Sequence, residues 1–135
     1  IFVYGNSYEN CLVAIAAPNP REVISLARSL GLEVKSVGEE GWKESLVNVC
    51  LNKQLVKAVM DSVNQFGRKM GLHGFEMIKG LYLDGHIEGA MDQIFTMENG
   101  SMTPTFKLKR QQCYNRYKQT IKELYDEIHR EAITH

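Results

Sequence analysis

A surplus of one charge, paired cysteines and long apolar runs are all missing from this 135-residue chain, and each absence closes off a class of function. The 16 Lys and Arg against 16 Asp and Glu leave a formal net charge of zero. No global field therefore draws the chain to nucleic acid or to acidic membranes, and any electrostatic function has to be local. Only three cysteines occur, Cys11, Cys50 and Cys113, far apart and without a CxxC pair. That pattern argues against a disulfide framework and against a zinc site, and it fits a reducing, cytosol-facing compartment. No apolar run approaches the roughly 20 residues of a membrane span, and the first residues lack the charged-then-apolar layout of a signal peptide. The chain is thus expected to be soluble. His73, His86, His129 and His135 fall at no metal-ligand spacing, so no metal site is assigned and the histidines read as surface or satisfied polar groups. Met is also missing from position 1, where the apolar run Ile1-Phe2-Val3-Tyr4 begins at once. The expectation is a piece cut from a longer polypeptide.

With 44% hydrophobic residues the chain can bury one real core. Ile1 to Tyr4 and Cys11 to Ala17 are β-prone runs separated by turn formers, with Gly5 and Asn6 serving turn geometry, and should pair as a hairpin. Asn19-Pro20-Arg21-Glu22 supplies an N-cap, a proline at the first helical position and a carboxylate at the third. With Gly31 beyond the last apolar turn, a helix is predicted over residues 20–30. A short helix is predicted from Trp42 to Cys50, followed by a longer one whose face is Leu55, Val59, Val63, Phe66 and Met70, ended by Gly71. Phe75, Met77, Leu81 and Leu83 lie on one side of an extended segment broken by Lys79, the expected third strand of the hairpin sheet. Residues 84–106 carry three glycines and little periodicity, which suggests a functional loop. From Leu108 onward, Tyr114, Tyr117, Ile121, Leu124 and Ile128 form a stripe that should dock a closing helix on the sheet. No repeat or low-complexity tract interrupts this order. The predicted class is α+β: a small, mostly antiparallel sheet of hairpin plus later strand, packed with several helices and ending in a long one.

The richest stretch for function is Gly100 to Arg110. Pro104 fixes its own φ and biases Thr103 toward extended backbone, so the stretch resists joining the helix that follows. Lys107 therefore sits on a preorganised loop that can carry a positive charge into a neighbouring cleft. Read blandly, Lys107, Lys109 and Arg110 are a solvated basic start to a helix, although cations there oppose the helix dipole. Cys50 and Cys113 read as small apolar residues, and Trp42, Tyr114 and Tyr117 as core.

Four segments, Val3 to Glu9, Leu12 to Ile15, Gly71 to Lys79 and Thr103 to Arg110, together with Ile121 to Tyr125, resemble in order the C-terminal domain of long-chain fatty acyl-CoA synthetases. These are AMP-forming ligases of the adenylate-forming superfamily. The resemblance implies that residues 1–135 are a mobile cap domain, with the N-terminal domain and the hinge lying before Ile1. It implies a two-step reaction: a fatty acid carboxylate attacks the α-phosphate of ATP to give an acyl-adenylate, and the thiol of coenzyme A then displaces AMP. The cap would swing between two orientations, one for each step. Lys107 matches the adenylation lysine of the family's TPTxKxKR loop, with Thr105, Lys109 and Arg110 as accompanying nucleotide-binding candidates. Gln111 stands where the family usually has proline and Met102 where it usually has leucine, and residues 84–99 fit too poorly to take any role.

The implied partners are the chain's own N-terminal domain, fatty acid, ATP and coenzyme A, and not nucleic acid. Mg²⁺ would accompany ATP on the other domain, since this chain shows no clustered carboxylates to hold it. Membrane association of the complete protein would come through the missing region, and the terminal Ile133-Thr134-His135 is not a peroxisomal SKL-type address. Alone, the fragment should be inactive. Two alternatives stand beside this reading: a non-catalytic module for protein or membrane contact built on the same fold, and an adenylate-forming ligase for a different acid.

Overall fold

The computed structural model describes residues 1–134, without the side chains of Phe75 and Thr134. His135 and the side chain of Phe75, both named above, lie outside the described residues. The elements run in the order β1 (Phe2–Tyr4), β2 (Leu12–Ala16), α1 (Pro20–Ser29), α2 (Trp42–Val49), α3 (Lys53–Lys69), a 3-10 turn (Gly74–Glu76), β3 (Ile78–Leu83) and α4 (Arg110–Thr134). The class is α+β, as predicted.

Local chemistry sets several of these boundaries. Asn19 caps α1 by accepting from the Glu22 N–H at 3.3 Å, Pro20 opens the helix, and Gly31 leaves it at φ 79°. Asn52 caps α3 in the same way, accepting from Leu55 N–H at 3.0 Å, and Gly71 closes it at φ 92°. The β1–β2 turn is held by the Tyr8 N–H donating to Asn6 Oδ1 at 2.9 Å. An ideal Cβ on Gly5 would lie 2.4 Å from Leu12 Cδ2, so a larger residue there would have to displace the end of the Leu12 side chain.

The sheet order is β1-β2-β3. β1 and β2 pair antiparallel, with Phe2 opposite Ile15 and Tyr4 opposite Val13. β3 joins β2 in parallel, with Val13 opposite Gly80 and Ala16 opposite Leu83. The sheet is therefore mixed rather than mostly antiparallel. The connection allows it: α1, α2 and α3 lie between β2 and β3, and parallel strands need a crossover of a dozen residues or more. β3 also begins at Ile78, because Gly74 to Glu76 turns as a 3-10 segment instead of extending.

The core lies between the sheet and the helices. Phe2, Val13, Ala14, Ile15, Ile24, Ala27, Leu46, Leu55, Cys113, Tyr117 and Ile121 are all buried. The aromatic stripe docks α4 as expected, with Tyr4 stacked on Tyr114 at 5.1 Å and Tyr125 Oη donating to the Cys11 carbonyl at 2.9 Å. α4 crosses β3 at Gly80, where a Cβ would approach Val13 Cγ1 to 3.1 Å and Ile128 Cδ1 to 3.3 Å. The helix departs from helical backbone at Tyr117 (φ −113°, ψ 15°).

The predicted face of α3 is corrected over its second half. Val63, Phe66 and Met70 are exposed, at 38%, 66% and 69%. The face turned inward there is Met60, Asn64 and Gly67. Asn64 clamps the start of β3, donating to the Ile78 carbonyl at 2.8 Å and accepting from its N–H at 3.0 Å. Gly67 lets Leu72 and Met77 approach closely. Asn64 thus stands level with the first residue of β3.

Candidate functional site: the Lys107 hairpin

Residues 84–106, read from sequence as a loop, are packed rather than loose. Ile87, Ile94 and Phe95 are buried in the core, and Glu88 bridges Gln93 in a short antiparallel turn. Phe95 sets its ring edge against Phe2 at 6.2 Å and against Tyr117 at 5.8 Å. Three apolar anchors thus hold a segment that lacks helical or strand periodicity, which is why periodicity could not reveal its order.

The segment ends in a tight hairpin. Met102 bridges Leu108, which delays the start of α4 to Arg110 rather than Leu108. Within the hairpin Thr103 N–H donates to the Lys107 carbonyl at 2.8 Å, Phe106 N–H to the Thr103 carbonyl at 2.9 Å and Lys107 N–H to Thr103 Oγ1 at 3.1 Å. Pro104 occupies the first corner of this turn, where its fixed φ is already suitable. Phe106 takes the left-handed conformation, φ 62°, at a position that glycine ordinarily fills. The base is equally firm. Ser101 is 2% exposed, its carbonyl accepts from Lys109 N–H at 2.8 Å, and Cys113 N–H donates to the Lys109 carbonyl at 3.0 Å.

On this frame the predicted site residues separate. Lys107 stands at the exposed tip, and among the described residues its ammonium has neither hydrogen bond nor ion pair. Thr105 is beside it, exposed, with its hydroxyl 3.1 Å from that of Thr103. Lys109 is exposed on the second arm and also has no side-chain partner among the described residues. Arg110 is used by the fold: its guanidinium donates to the Val3 carbonyl at 2.6 Å and lies 4.8 Å over the Phe2 ring, tying α4 to β1. That contact engages one nitrogen of the guanidinium within the fold.

Sequence reasoning missed a buried polar cluster at the other end of the same connection. Asp84, 6% exposed, accepts from Tyr117 Oη at 2.6 Å, from the His86 N–H at 2.9 Å and pairs with His86 Nδ1 at 2.7 Å. Burial pushes its carboxyl up, but the hydrogen bonds from Tyr117 and His86 together hold it below the ordinary carboxylate value. Burial, with Asp84 as neighbour, pushes the Tyr117 hydroxyl up. The available signal was Leu83-Asp84-Gly85, an acid closing an apolar strand. A Cβ on Gly85 would meet Val47 Cα at 2.8 Å, so α2 sits directly on this turn.

The other candidates are structural. All three cysteines are free and buried. Burial raises the thiol of each, Cys50 to about 12, which leaves none suited to act as a thiolate. His129 Nε2 pairs with Glu9 at 2.9 Å. Among the described residues no three His, Cys, Asp or Glu side chains gather to hold a metal ion, and no helix is long and apolar enough to cross a membrane. A concavity of about 770 Å³ lies away from Lys107, between α3, the start of β3 and the end of α4.

No protein-family model matches the chain. It is 35% identical over 125 residues to long-chain-fatty-acid–CoA ligase 6 of Mus musculus, covering 93% of this chain and 16% of that protein. It is 31% identical over 128 residues to long-chain-fatty-acid–CoA ligase 1 of Homo sapiens, covering 95% of this chain and 16% of that protein. The chain therefore spans about one sixth of the length of these relatives. In fold it resembles part of the A-PCP didomain of carboxylic acid reductase from Segniliparus rugosus, a structure in complex with AMP, with TM-score 0.64 and 21% identity over 95% of this chain and 14% of that one. The resemblance drawn from separate segments along the sequence is thereby met across nearly the whole chain, which is similar to one part of these long-chain-fatty-acid–CoA ligases.

Proposed function

We propose that this segment is the mobile C-terminal domain of an AMP-forming long-chain fatty acid–CoA ligase, and that Lys107 is its adenylation residue. The carrying observation is an ammonium without an internal partner, held at the tip of a hairpin whose base is buried. A lysine with no role in the fold, on a frame that costs little further ordering, suits a group delivered to an active site built by another domain. The substrates are then a fatty acid, ATP and coenzyme A.

The chemistry asked of Lys107 is electrostatic. Negative charge gathers on the α-phosphate oxygens as the carboxylate arrives, and an ammonium reaching both groups neutralises it and aligns the attack. A unit charge pair about 4 Å apart at an effective dielectric near 20 is worth roughly 4 kcal/mol. At about 1.4 kcal/mol per tenfold, that corresponds to a rate factor on the order of a thousand. Arginine is a poor substitute, because its planar fork is larger and differently directed. Lys109 and Thr105, exposed on the same hairpin, suit contacts with phosphate oxygens. Mg²⁺ belongs in this reading to the companion N-terminal domain, together with most of the nucleotide and acyl sites, so the isolated segment is inactive. The same domain then reorients for thioester formation with coenzyme A.

The test uses the complete ligase carrying this segment, with Lys107 intact and as Lys107→Ala. Pyrophosphate exchange with ATP and a long-chain fatty acid reports adenylation, and thioester formation from supplied acyl-adenylate reports the second step. Exchange should collapse while thioester formation survives. Equal exchange by both proteins would remove Lys107 from the chemistry and favour the non-catalytic module.

A further inference from the structure

At its first arm the Lys107 hairpin is tied to the preceding segment by Ser101 N–H and Met102 N–H donating to the Thr96 carbonyl at 3.0 and 3.2 Å, and by the side chain of Asn99, which gathers the most side-chain hydrogen bonds there. Its Nδ2 donates to Glu88 Oε1 at 2.7 Å and to the Ile94 carbonyl at 2.8 Å. Its Oδ1 accepts from Thr96 N–H at 3.2 Å and from Ser101 N–H at 3.1 Å. Its own N–H donates to Thr96 Oγ1 at 3.1 Å. Both amide hydrogens and both carbonyl lone pairs are used, which only a carboxamide can do. These bonds also settle the amide's orientation, since the reverse would aim NH₂ at two backbone N–H groups.

The ends of this hub differ in kind. On one side is Ile94, fully buried, whose carbonyl also accepts from Arg116 of α4 at 2.5 Å. On the other is Ser101, from which the hairpin begins: Ser101 accepts from Lys109 N–H, and the next residue, Met102, bridges Leu108. Asn99 is itself exposed and fills no part of the core. Its bonds therefore contribute little burial, yet together with the backbone bonds to the Thr96 carbonyl they brace the point where the hairpin leaves the body of the domain.

We propose that Asn99 is a positioning residue for adenylation, fixing the base of the hairpin so that Lys107 reaches its target at the right distance and angle. The inference rests on the reading of Lys107 as the adenylation residue. Its physical basis is that a displacement of about 1 Å at a reacting group can cost on the order of a hundredfold in rate. Asn99→Ala removes all four side-chain bonds. Asn99→Asp keeps the shape but has no hydrogens for Glu88 or the Ile94 carbonyl and places a second carboxylate beside Glu88. Glu88→Ala, an exposed change, removes one acceptor and leaves the rest.

The experiment measures pyrophosphate exchange and thioester formation in the complete ligase, unaltered and carrying Asn99→Ala, Asn99→Asp, Glu88→Ala or Lys107→Ala. Exchange should fall about tenfold or more in both Asn99 variants and less in Glu88→Ala, with thioester formation within about twofold of the unaltered protein. A purely structural role predicts that both half-reactions fall together, and that outcome overturns the proposal. So does full exchange in Asn99→Ala while Lys107→Ala is dead. If Lys107→Ala itself exchanges normally, the reading of Lys107 fails and the role of Asn99 falls with it. Should Asn99→Ala not fold, Glu88→Ala decides alone: a selective exchange defect supports the role, and none removes it.

Discussion

Two charged residues bracket the connection between β3 and α4, and the fold treats them in opposite ways. Asp84, at its start, is turned inward and accepts three hydrogen bonds from Tyr117 and His86. Lys107, near its end, is turned outward on a rigid hairpin and has no side-chain partner among the described residues. A buried charge without partners costs several kcal/mol, so Asp84 is satisfied completely and becomes part of the architecture. An exposed ammonium costs nearly nothing to leave free, so Lys107 can stand unpaired at no comparable penalty. The contrast separates charge that holds the structure from charge the structure holds out.

The largest test of that separation is Lys107→Ala. Loss of its charge should lower adenylation by a factor on the order of a thousand. Thermal melting of the 135-residue chain should not change, because no contact of the fold is removed. A clear drop in melting temperature would show that Lys107 belongs to the structural class after all.

Asp84→Ala is the converse. It strips a buried acceptor from Tyr117 and from two groups of His86, at a cost of about 1–3 kcal/mol. For a domain of this size that lowers the melting temperature by roughly 3–11 °C, measurable by calorimetry on the chain itself. In the complete ligase both half-reactions should then decline together as the domain loosens. Selective loss of exchange would instead join Asp84 to the delivery of Lys107 and dissolve the comparison.

Acid sharpens the same point. The folded carboxyl of Asp84 lies below its unfolded value, so its contribution is full above the unfolded carboxylate range and is lost as pH falls through the folded value. With an unfolded reference near 3.9, that loss falls below about pH 4. Tyr117→Phe removes the chief hydrogen bond lowering Asp84 while its burial remains, which brings the folded carboxyl up toward the unfolded one. The share of acid destabilisation due to Asp84 should therefore shrink. Melting temperatures at pH 7 and pH 3 would show a smaller gap in Tyr117→Phe than in the unaltered chain, and an equal gap would mean that His86 alone sets the carboxyl.

The sequence discloses these regions unequally, for physical reasons. α1 was legible because Asn19, Pro20 and Gly31 act within a few residues of the boundaries they set. That the stretch around Lys107 stays out of α4 was legible because Pro104 acts on the backbone immediately beside it. The parallel pairing of β3 was not, since strand order depends on how three intervening helices return the chain. The second half of α3 misled because Val63, Phe66 and Met70 look like a core face, whereas the contact is made by an asparagine through hydrogen bonds and a glycine through close approach. Hydropathy is blind to both. Asp84 and Asn99 escaped for a related reason: each works through partners at precise angles, and a single polar residue in a loop carries no periodic trace of them.

The smallest expected effect concerns Phe106, where the hairpin has a left-handed non-glycine residue next to Lys107. That conformation costs about 1–2 kcal/mol for a residue with a Cβ, and Phe106 is 68% exposed, so its ring returns little burial. Phe106→Gly relieves the strain but gives the unfolded chain more freedom, worth about 0.5–1 kcal/mol in the opposite direction. The melting temperature should stay level or rise by a few degrees. Exchange then decides what the strained residue is for. If it is unchanged, the hydrogen bonds from Thr103 suffice to aim Lys107, and rigidity resides in the backbone ladder. If exchange falls while stability rises, the Phe106 ring serves the delivery of Lys107 at the expense of the fold, which places it with the outward-held charge rather than with the inward-held one.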